Sequence, residues 1–266
     1  MNMGIKKTCI LALSALAVAI AAATSGCGDS SESKSKSAPK FVAHRGYSYA
    51  YPDNTEESFR AAAQMDFYGI ETDIHKTKDG YFICNHDNTV KYADGTELTI
   101  ASTKRETLLS KPLKNGKTDR DAYLCTFETY LGACKEGSKV AVIELKASFS
   151  KSDIRKILGI VDREYDRKCV SFISFSYISL RFVQEEDPSI DLQYLCQDEN
   201  SSTLNTCIKD GISADVSMNI LTEELVETFH AAGLTVNVWT VDEEADRLTA
   251  IRYGVDYITT NLLSKD

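Results

Sequence analysis

His44 and Arg45 close a short apolar run, Glu71 and Asp73 stand two apart in a second, and His86 and Asp87 follow a third. Side chains alternate faces along a strand, so Glu71 and Asp73 leave the same side. Two carboxylates on one side begin a site for a hard divalent cation. Imidazoles change charge near neutral pH, which makes His44 and His86 candidate proton carriers. The guanidinium of Arg45 is a fork matched to an anionic oxygen. A cation, two imidazoles and a guanidinium together are the apparatus for cleaving a phosphate ester. Taken singly each has a plainer reading: His-Arg-Gly also suits a surface turn, and Glu-x-Asp is a short pattern. The joint pattern carries the inference.

A scaffold must bring these residues to one place. From Lys40 onward, apolar strands are expected at 41–44, 68–73, 139–145, 169–173, 191–195, 212–215, 234–239 and 255–259. Amphipathic helices fall between them, for example at 55–66, 126–135, 152–163, 176–186, 222–232 and 242–252. Such alternation predicts a parallel sheet with crossover helices. Eight strands in this length fit a closed α/β fold, the (β/α)8 TIM barrel, better than an open sheet. Local signals agree. Asn54 and Glu57 have capping-box spacing, Thr222 and Gly233 bracket one helix, and Gly254 ends the last.

Lys78-Asp79-Gly80 interrupts the alternation between 69–75 and 81–86, and reads as a hairpin that extends strand 2 and returns His86 toward Asp73. The polar, irregular stretch 87–123 is expected to pass over the barrel mouth, where active-site lids belong. Barrel active sites lie at the C-terminal strand ends. His44, Arg45, Glu71 and Asp73 meet that rule, as do Glu144 and Lys146 at the end of strand 3, Asn237 to Trp239 at the end of strand 7, and Thr260-Asn261 after strand 8. Glu144 and Lys146 could instead be a structural ion pair, and Trp239 either core or pocket lip. His75 shares the parity of Asp73 but lies toward the hairpin turn and is expected to be exposed. His230, on an amphipathic helix, is expected at the surface.

The 266 residues carry a net charge of −9, and Lys6 and Lys7 are the only charges before Cys27, so the remainder carries −11. An acidic body excludes general nucleic-acid binding and an electrostatic grip on anionic membranes, while leaving room for a local basic pocket. The apolar run from Cys9 to Ala23 follows the two lysines and is shorter than the roughly 20 residues of a membrane span, as in a secretory signal. Ser25-Gly26-Cys27 resembles the bacterial lipobox, with Thr24 departing from its usual leucine-like residue. Residues 1–27 are therefore read as a lipoprotein-type signal, 28–39 as a flexible polar tether, and 40–266 as the barrel domain. The protein is expected to be exported and held at a membrane or cell surface through Cys27, or otherwise secreted. Cys84, Cys169 and Cys196 sit in apolar runs where buried free thiols are expected.

At this point the chain resembles the glycerophosphodiester phosphodiesterases. His44-Arg45-Gly46, Pro52-Asp53-Asn54-Thr55, Glu71-Thr72-Asp73, Thr77-Lys78-Asp79-Gly80 and His86-Asp87 follow that family's opening pattern, with Asp53 where the family usually has Glu. Ile143-Glu144-Leu145-Lys146, Ser174-Phe175, Val238-Trp239-Thr240-Val241 and Gly254-Val255-Asp256 leading to Thr259-Thr260-Asn261 continue it, so the likeness spans residues 41–262. His75 is a second departure, and could touch substrate. The resemblance implies that Glu71, Asp73 and Glu144 bind one divalent cation, Mg²⁺ or Ca²⁺. It also implies that His44 and His86 divide the proton transfers, that Arg45 and Lys146 bind the phosphate, and that Trp239 walls the glycerol or alcohol. The implied partner is a small glycerophosphodiester, hydrolysed to glycerol 3-phosphate and an alcohol. Two competing readings are a phospholipase-like lyase on the same barrel, stopping at a cyclic product, and a non-catalytic lipoprotein that captures phosphodiesters.

Overall fold

Eight of the strands close on one another. The computed structural model describes residues 38–146, 148–198 and 202–262; the signal 1–27 with Cys27, and 28–37 of the tether, lie outside them. Strand β1 (Lys40–Ala43) is followed by helix α1 (Glu56–Ala63) and β2 (Gly69–Lys76). An excursion then holds β3 (Phe82–Cys84), β4 (Thr89–Lys91), β5 (Glu97–Thr99), α2 (Arg105–Leu108) and β6 (Cys125–Thr126). Alternation resumes with α3 (Phe127–Gly137), β7 (Val140–Leu145), α4 (Lys151–Glu164), β8 (Val170–Ser174), α5 (Tyr177–Glu186) and β9 (Asp191–Cys196). It ends with α6 (Ser202–Asp210), β10 (Ser213–Ser217), α7 (Glu223–Ala231), β11 (Val236–Trp239), α8 (Glu244–Tyr253) and β12 (Tyr257–Thr260). Strands β1, β2 and β7 to β12 pair in parallel, and β1 bonds to both β2 and β12, which closes the expected TIM barrel.

Strand alternation divides these residues between two environments. Ile70, Ile74, Ala141, Ile143 and Phe172 point outward into the buried layer shared with the helices. Their neighbours Val42, Val142, Ile173 and Leu195 form a smaller cluster inside the barrel. Fully burying one such side chain stabilises the fold by about 1.5–3 kcal/mol, so the outer layer does most of the work. No disulfide is formed among the described cysteines. Cys84 and Cys196 are buried as expected, whereas Cys169 is half-buried, because it ends a short 3-10 turn just before β8.

The hairpin forms as anticipated, with Ile74 opposite Cys84 and His75 opposite Ile83. The excursion is better organised than its polar sequence suggests. Val90, Tyr92, Ile100, Leu108 and Leu124 bury a core of their own with Ile83, and the Tyr92 hydroxyl donates to the Leu108 carbonyl at 2.8 Å. Lys117 Nζ ties it to the loop after β1, bonding the Ser48 carbonyl and Asp53. The α1 cap also differs from expectation. Thr55 is the N-cap and Ser58 completes the box, because Asn54 is turned toward the barrel.

Helices α1 and α3 touch at Gly137, where a Cβ would lie 2.6 Å from the Ala63 carbonyl oxygen. Gly137→Ala is expected to lower unfolding free energy by about 1–3 kcal/mol, the scale of overpacking, in chemical denaturation. Unchanged stability would show that the two helices separate freely.

Candidate active site

The turn after β1 is shaped by two left-handed residues. Arg45 has φ 56° and Gly46 φ 80°. A Cβ at Gly46 would lie 2.4 Å from Ser58 Oγ, so both the conformation and the space call for glycine. Arg45, with a side chain, holds that conformation at a cost of about 1–3 kcal/mol, which the surrounding contacts must offset. The turn aims the Arg45 amide at Glu71, whose Oε2 accepts from it at 2.7 Å. Asn54, also left-handed at φ 58°, donates from Nδ2 to Asp73 Oδ2 at 2.8 Å and accepts at Oδ1 from Thr72 Oγ1 at 2.7 Å. Each carboxylate of β2 is thus fixed by the loop between β1 and α1.

Parallel pairing brings in the third acid. Asp73 lies directly opposite Glu144 across β2 and β7. Glu71, Asp73 and Glu144 each offer an oxygen within 4.8 Å of the others, at 2%, 1% and 8% exposure. Lys146 Nζ stands 3.1 Å from Glu144 Oε1 and 3.5 Å from Asp73 Oδ1, and Arg45 Nε lies 3.5 Å from Asp73 Oδ2. Burial opposes charge on all three acids. At Asp73 that penalty is overcome by the Arg45 and Lys146 cations, which hold its carboxyl below the usual range. Glu71 is pushed well up by burial and by the charges of Asp73 and Glu144. Burial, followed by the Asp73 charge, pushes Glu144 to about 8. Asp73 Oδ1 has no hydrogen-bond partner. Crowded hard oxygens, two of them on carboxyls whose pKa is raised, and an Asp73 Oδ1 met only by the Lys146 ammonium fit a divalent cation, which would supply further positive charge.

The histidines stand over this cluster. Asn261 donates its amide to Asp242 Oδ2 at 2.6 Å, so its Oδ1 faces His44 and must accept from Nδ1, at 2.8 Å. Asp242 also accepts from the Asn261 backbone and from Thr260 Oγ1, which anchors the chain of contacts. His86 Nδ1 donates to Asp87 Oδ1 at 2.9 Å. Each ring therefore turns Nε2 away from its anchor. His44 has its pKa lowered by burial and by the Arg45 charge. His75, expected to be exposed, is buried: the hairpin return folds over it, and its Nε2 bonds the His86 carbonyl at 3.2 Å. His230 is exposed and pairs with Asp256.

One cavity of about 310 Å³ is lined by His44, Arg45, Glu71, His86, Glu144 and Lys146 at its polar end. Trp239, Phe175, Ile173 and Leu195 form its apolar wall, with the Trp239 and Phe175 rings edge to face at 5.9 Å. Asp73 lies beside it, paired to Lys146 and Glu144. The eight residues to which the resemblance gives roles therefore gather at one strand-end mouth, whereas Asn237, also expected there, lies deeper, in a separate cavity with Val42, Tyr68 and Val140, and bonds Thr259. Asp242 was not anticipated, because its partners are 18 and 19 residues away. Asp215 was also not anticipated. It lies in the cavity lining with Oδ1 unpartnered, its carboxyl driven well up by burial and by Glu144. A charged residue inside the apolar run of 212–216 was the available signal.

A sequence profile of the glycerophosphoryl diester phosphodiesterase family matches residues 44–264. A glycerophosphodiester phosphodiesterase of Caldanaerobacter subterraneus subsp. tengcongensis is 26% identical over 226 residues, covering 83% of this chain and 93% of its own. A crystal structure of a glycerophosphodiester phosphodiesterase from Parabacteroides distasonis is 28% identical, with a TM-score of 0.72 over 85% of this chain and 94% of that one. An Oleispira antarctica phosphodiesterase, solved in complex with the product sn-glycerol-3-phosphate, shares the fold at 20% identity with a TM-score of 0.76, over 84% and 93% of the two chains.

Cation binding at the three acids requires Glu71 and Glu144 without their protons. Both pKa values are raised, Glu71 by burial and Glu144 by burial to about 8, so protons compete with a cation for these oxygens at lower pH. The affinity for Mg²⁺ or Ca²⁺ is expected to climb between about pH 6 and 8, roughly tenfold per pH unit for each proton released. Calorimetry in buffers of different ionisation enthalpy reads that release directly. Affinity independent of pH across this range would contradict the assignment.

Proposed function

This chain belongs to the glycerophosphoryl diester phosphodiesterase family, and from that premise we propose a metal-dependent, two-histidine mechanism for hydrolysing glycerophosphodiesters to glycerol 3-phosphate and an alcohol. The convergence of Glu71, Asp73 and Glu144 within 4.8 Å of one another supports it above all. Glu71, Asp73 and Glu144 would hold one Mg²⁺ or Ca²⁺. When bound, that cation neutralises a phosphate oxygen and polarises the phosphorus. Arg45 and Lys146 add positive charge where the transition state becomes more anionic. Trp239 and Phe175 pack against the carbon skeleton of the glycerol.

The histidine settings divide the proton work. His44 is kept neutral by burial and Arg45, with Nδ1 committed to Asn261, so Nε2 carries the lone pair of a base. His86, more exposed and beside Asp87, is the acid. His44 removes a proton from the glycerol hydroxyl next to the ester, the freed oxygen bonds to phosphorus, and the leaving alcohol departs with the His86 proton. Water then opens the cyclic phosphate with the two roles exchanged. Family membership favours this second step over the lyase reading, which stops at the cyclic product. Retention of both imidazoles and all three acids weighs against a protein that only captures phosphodiesters. Lys6-Lys7, the apolar run and Cys27 support export and a lipid-held location, with 28–39 as the tether.

His44→Ala and His86→Ala are each expected to lower kcat about 10²- to 10⁴-fold on an alkyl diester. With p-nitrophenol as leaving group, which departs without a proton, His86→Ala should recover most of its rate while His44→Ala should not. Equal recovery of both would reverse or remove the role assignment. Excess chelator should abolish turnover and Mg²⁺ or Ca²⁺ restore it, with phosphorus NMR following any cyclic phosphate into glycerol 3-phosphate. Full activity in chelator would contradict the metal. Cys27→Ala should move the protein from the membrane fraction to the soluble exported fraction; an unchanged distribution would argue against the lipid anchor.

A further inference from the structure

A second cavity, of about 290 Å³, adjoins the reaction cavity, and Arg45 and His86 line both. One wall is the loop after β1, and the other is the excursion, which contributes Lys91, Lys114 and Lys117. Its carboxylates are already engaged: Asp53 pairs with Arg45 and Lys117, and Asp87 with His86. Neither Lys91 nor Lys114 has a carboxylate within ion-pair distance among the described residues. The Lys114 amide nevertheless donates to the Lys91 carbonyl at 2.8 Å, which sets the two positions side by side. Lys91 acts on Asp87 only from beyond ion-pair distance, so two ammonium groups on paired positions at one cavity wall would be relieved of part of their repulsion by a bound anion. In a chain of net charge −9, their gathering beside the reaction cavity runs against the overall composition.

We propose that this second cavity is a subsite for a leaving alcohol that carries its own phosphate, held by Lys91 and Lys114. The proposal rests on the hydrolase reading above, in which His86 protonates the leaving oxygen. The alcohol then departs past His86, which lines this cavity as well as the reaction cavity. The glycerol stays against Trp239 and Phe175 while the second phosphate reaches the lysines. The favoured substrate class is therefore a glycerophosphodiester with a second phosphate on the alcohol, as a monoester or as the next link of a phosphodiester chain. A choline-type cation would meet like charge there.

The test compares kcat/KM for four glycerophosphodiesters, whose alcohols are cationic (choline), neutral (glycerol), glycerol bearing a phosphate monoester, and glycerol extended by a further phosphodiester. Wild type is expected to favour the phosphate-bearing alcohols over the neutral one by about threefold to tenfold, the scale of two exposed charge contacts. The preference should shrink in about 0.5 M salt. A Lys91→Ala/Lys114→Ala variant should lose the preference with its neutral-substrate rate unchanged. Gain on the monoester alone, or on the diester alone, identifies which form the subsite takes. Turnover of the neutral ester with no gain for either phosphate, or a gain that survives the double variant, overturns the subsite and leaves the hydrolase reading standing. If no ester is cleaved, the hydrolase reading fails. Calorimetric binding of glycerol 1,3-bisphosphate then decides the subsite by itself: weakening in the double variant supports it, and equal binding to both proteins overturns it.

Discussion

Three acids crowded into one buried corner impose the condition that the rest of the site answers. Asp73 and Glu144 are neighbours across a strand pair and Glu71 is two residues away, so parallel register alone forces their carboxyls together. Like charges in a poorly solvated place cannot all ionise unless positive charge meets them. Arg45 and Lys146 meet part of that need, holding the Asp73 carboxyl below its usual range while burial and like charge push Glu71 and Glu144 up. The remaining deficit is what the proposed divalent cation would supply. Asn54 and the Arg45 amide hold two of the acids in place, and that geometry depends on left-handed backbone at Arg45, Gly46 and Asn54.

The barrel explains why these residues converge. On β1, β7 and β8 the inward positions deep in the barrel carry Val42, Val142 and Ile173, and those nearer the mouth carry His44, Glu144, Lys146 and Phe175, with Glu71 and Asp73 beside them on β2. One alternation thus builds an apolar plug and a reactive rim, while the opposite parity feeds the helix-facing core. Strand ends are rigid, which would suit the proposed reaction, in which a base and an acid are held over one phosphorus. The excursion adds what the rim cannot. It tethers itself to the loop after β1 through Lys117 and brings His86 over the acids.

Legibility in the sequence followed physical range. Strand and helix positions depend on local periodicity, and all eight barrel strands fall where the pattern puts them. The hairpin was legible because Lys78-Asp79-Gly80 is a strong turn. The same local logic failed at Asn54, whose cap-like spacing concealed a bond to a carboxylate 19 residues away, and at His75, which only the return of the hairpin buries. Asp242 and Asp215 were missed because their roles arise from partners on other strands. The short strands β4 and β5 went unread because their apolar residues pair only with each other and with the excursion's own small core.

Crystals soaked in Mn²⁺ and measured at its absorption edge test the central claim most directly. The account predicts one strong anomalous peak in contact with carboxylate oxygens of Glu71, Asp73 and Glu144 together, and its loss in Glu144→Gln. A peak held by other residues, or full occupancy in that variant, would contradict it.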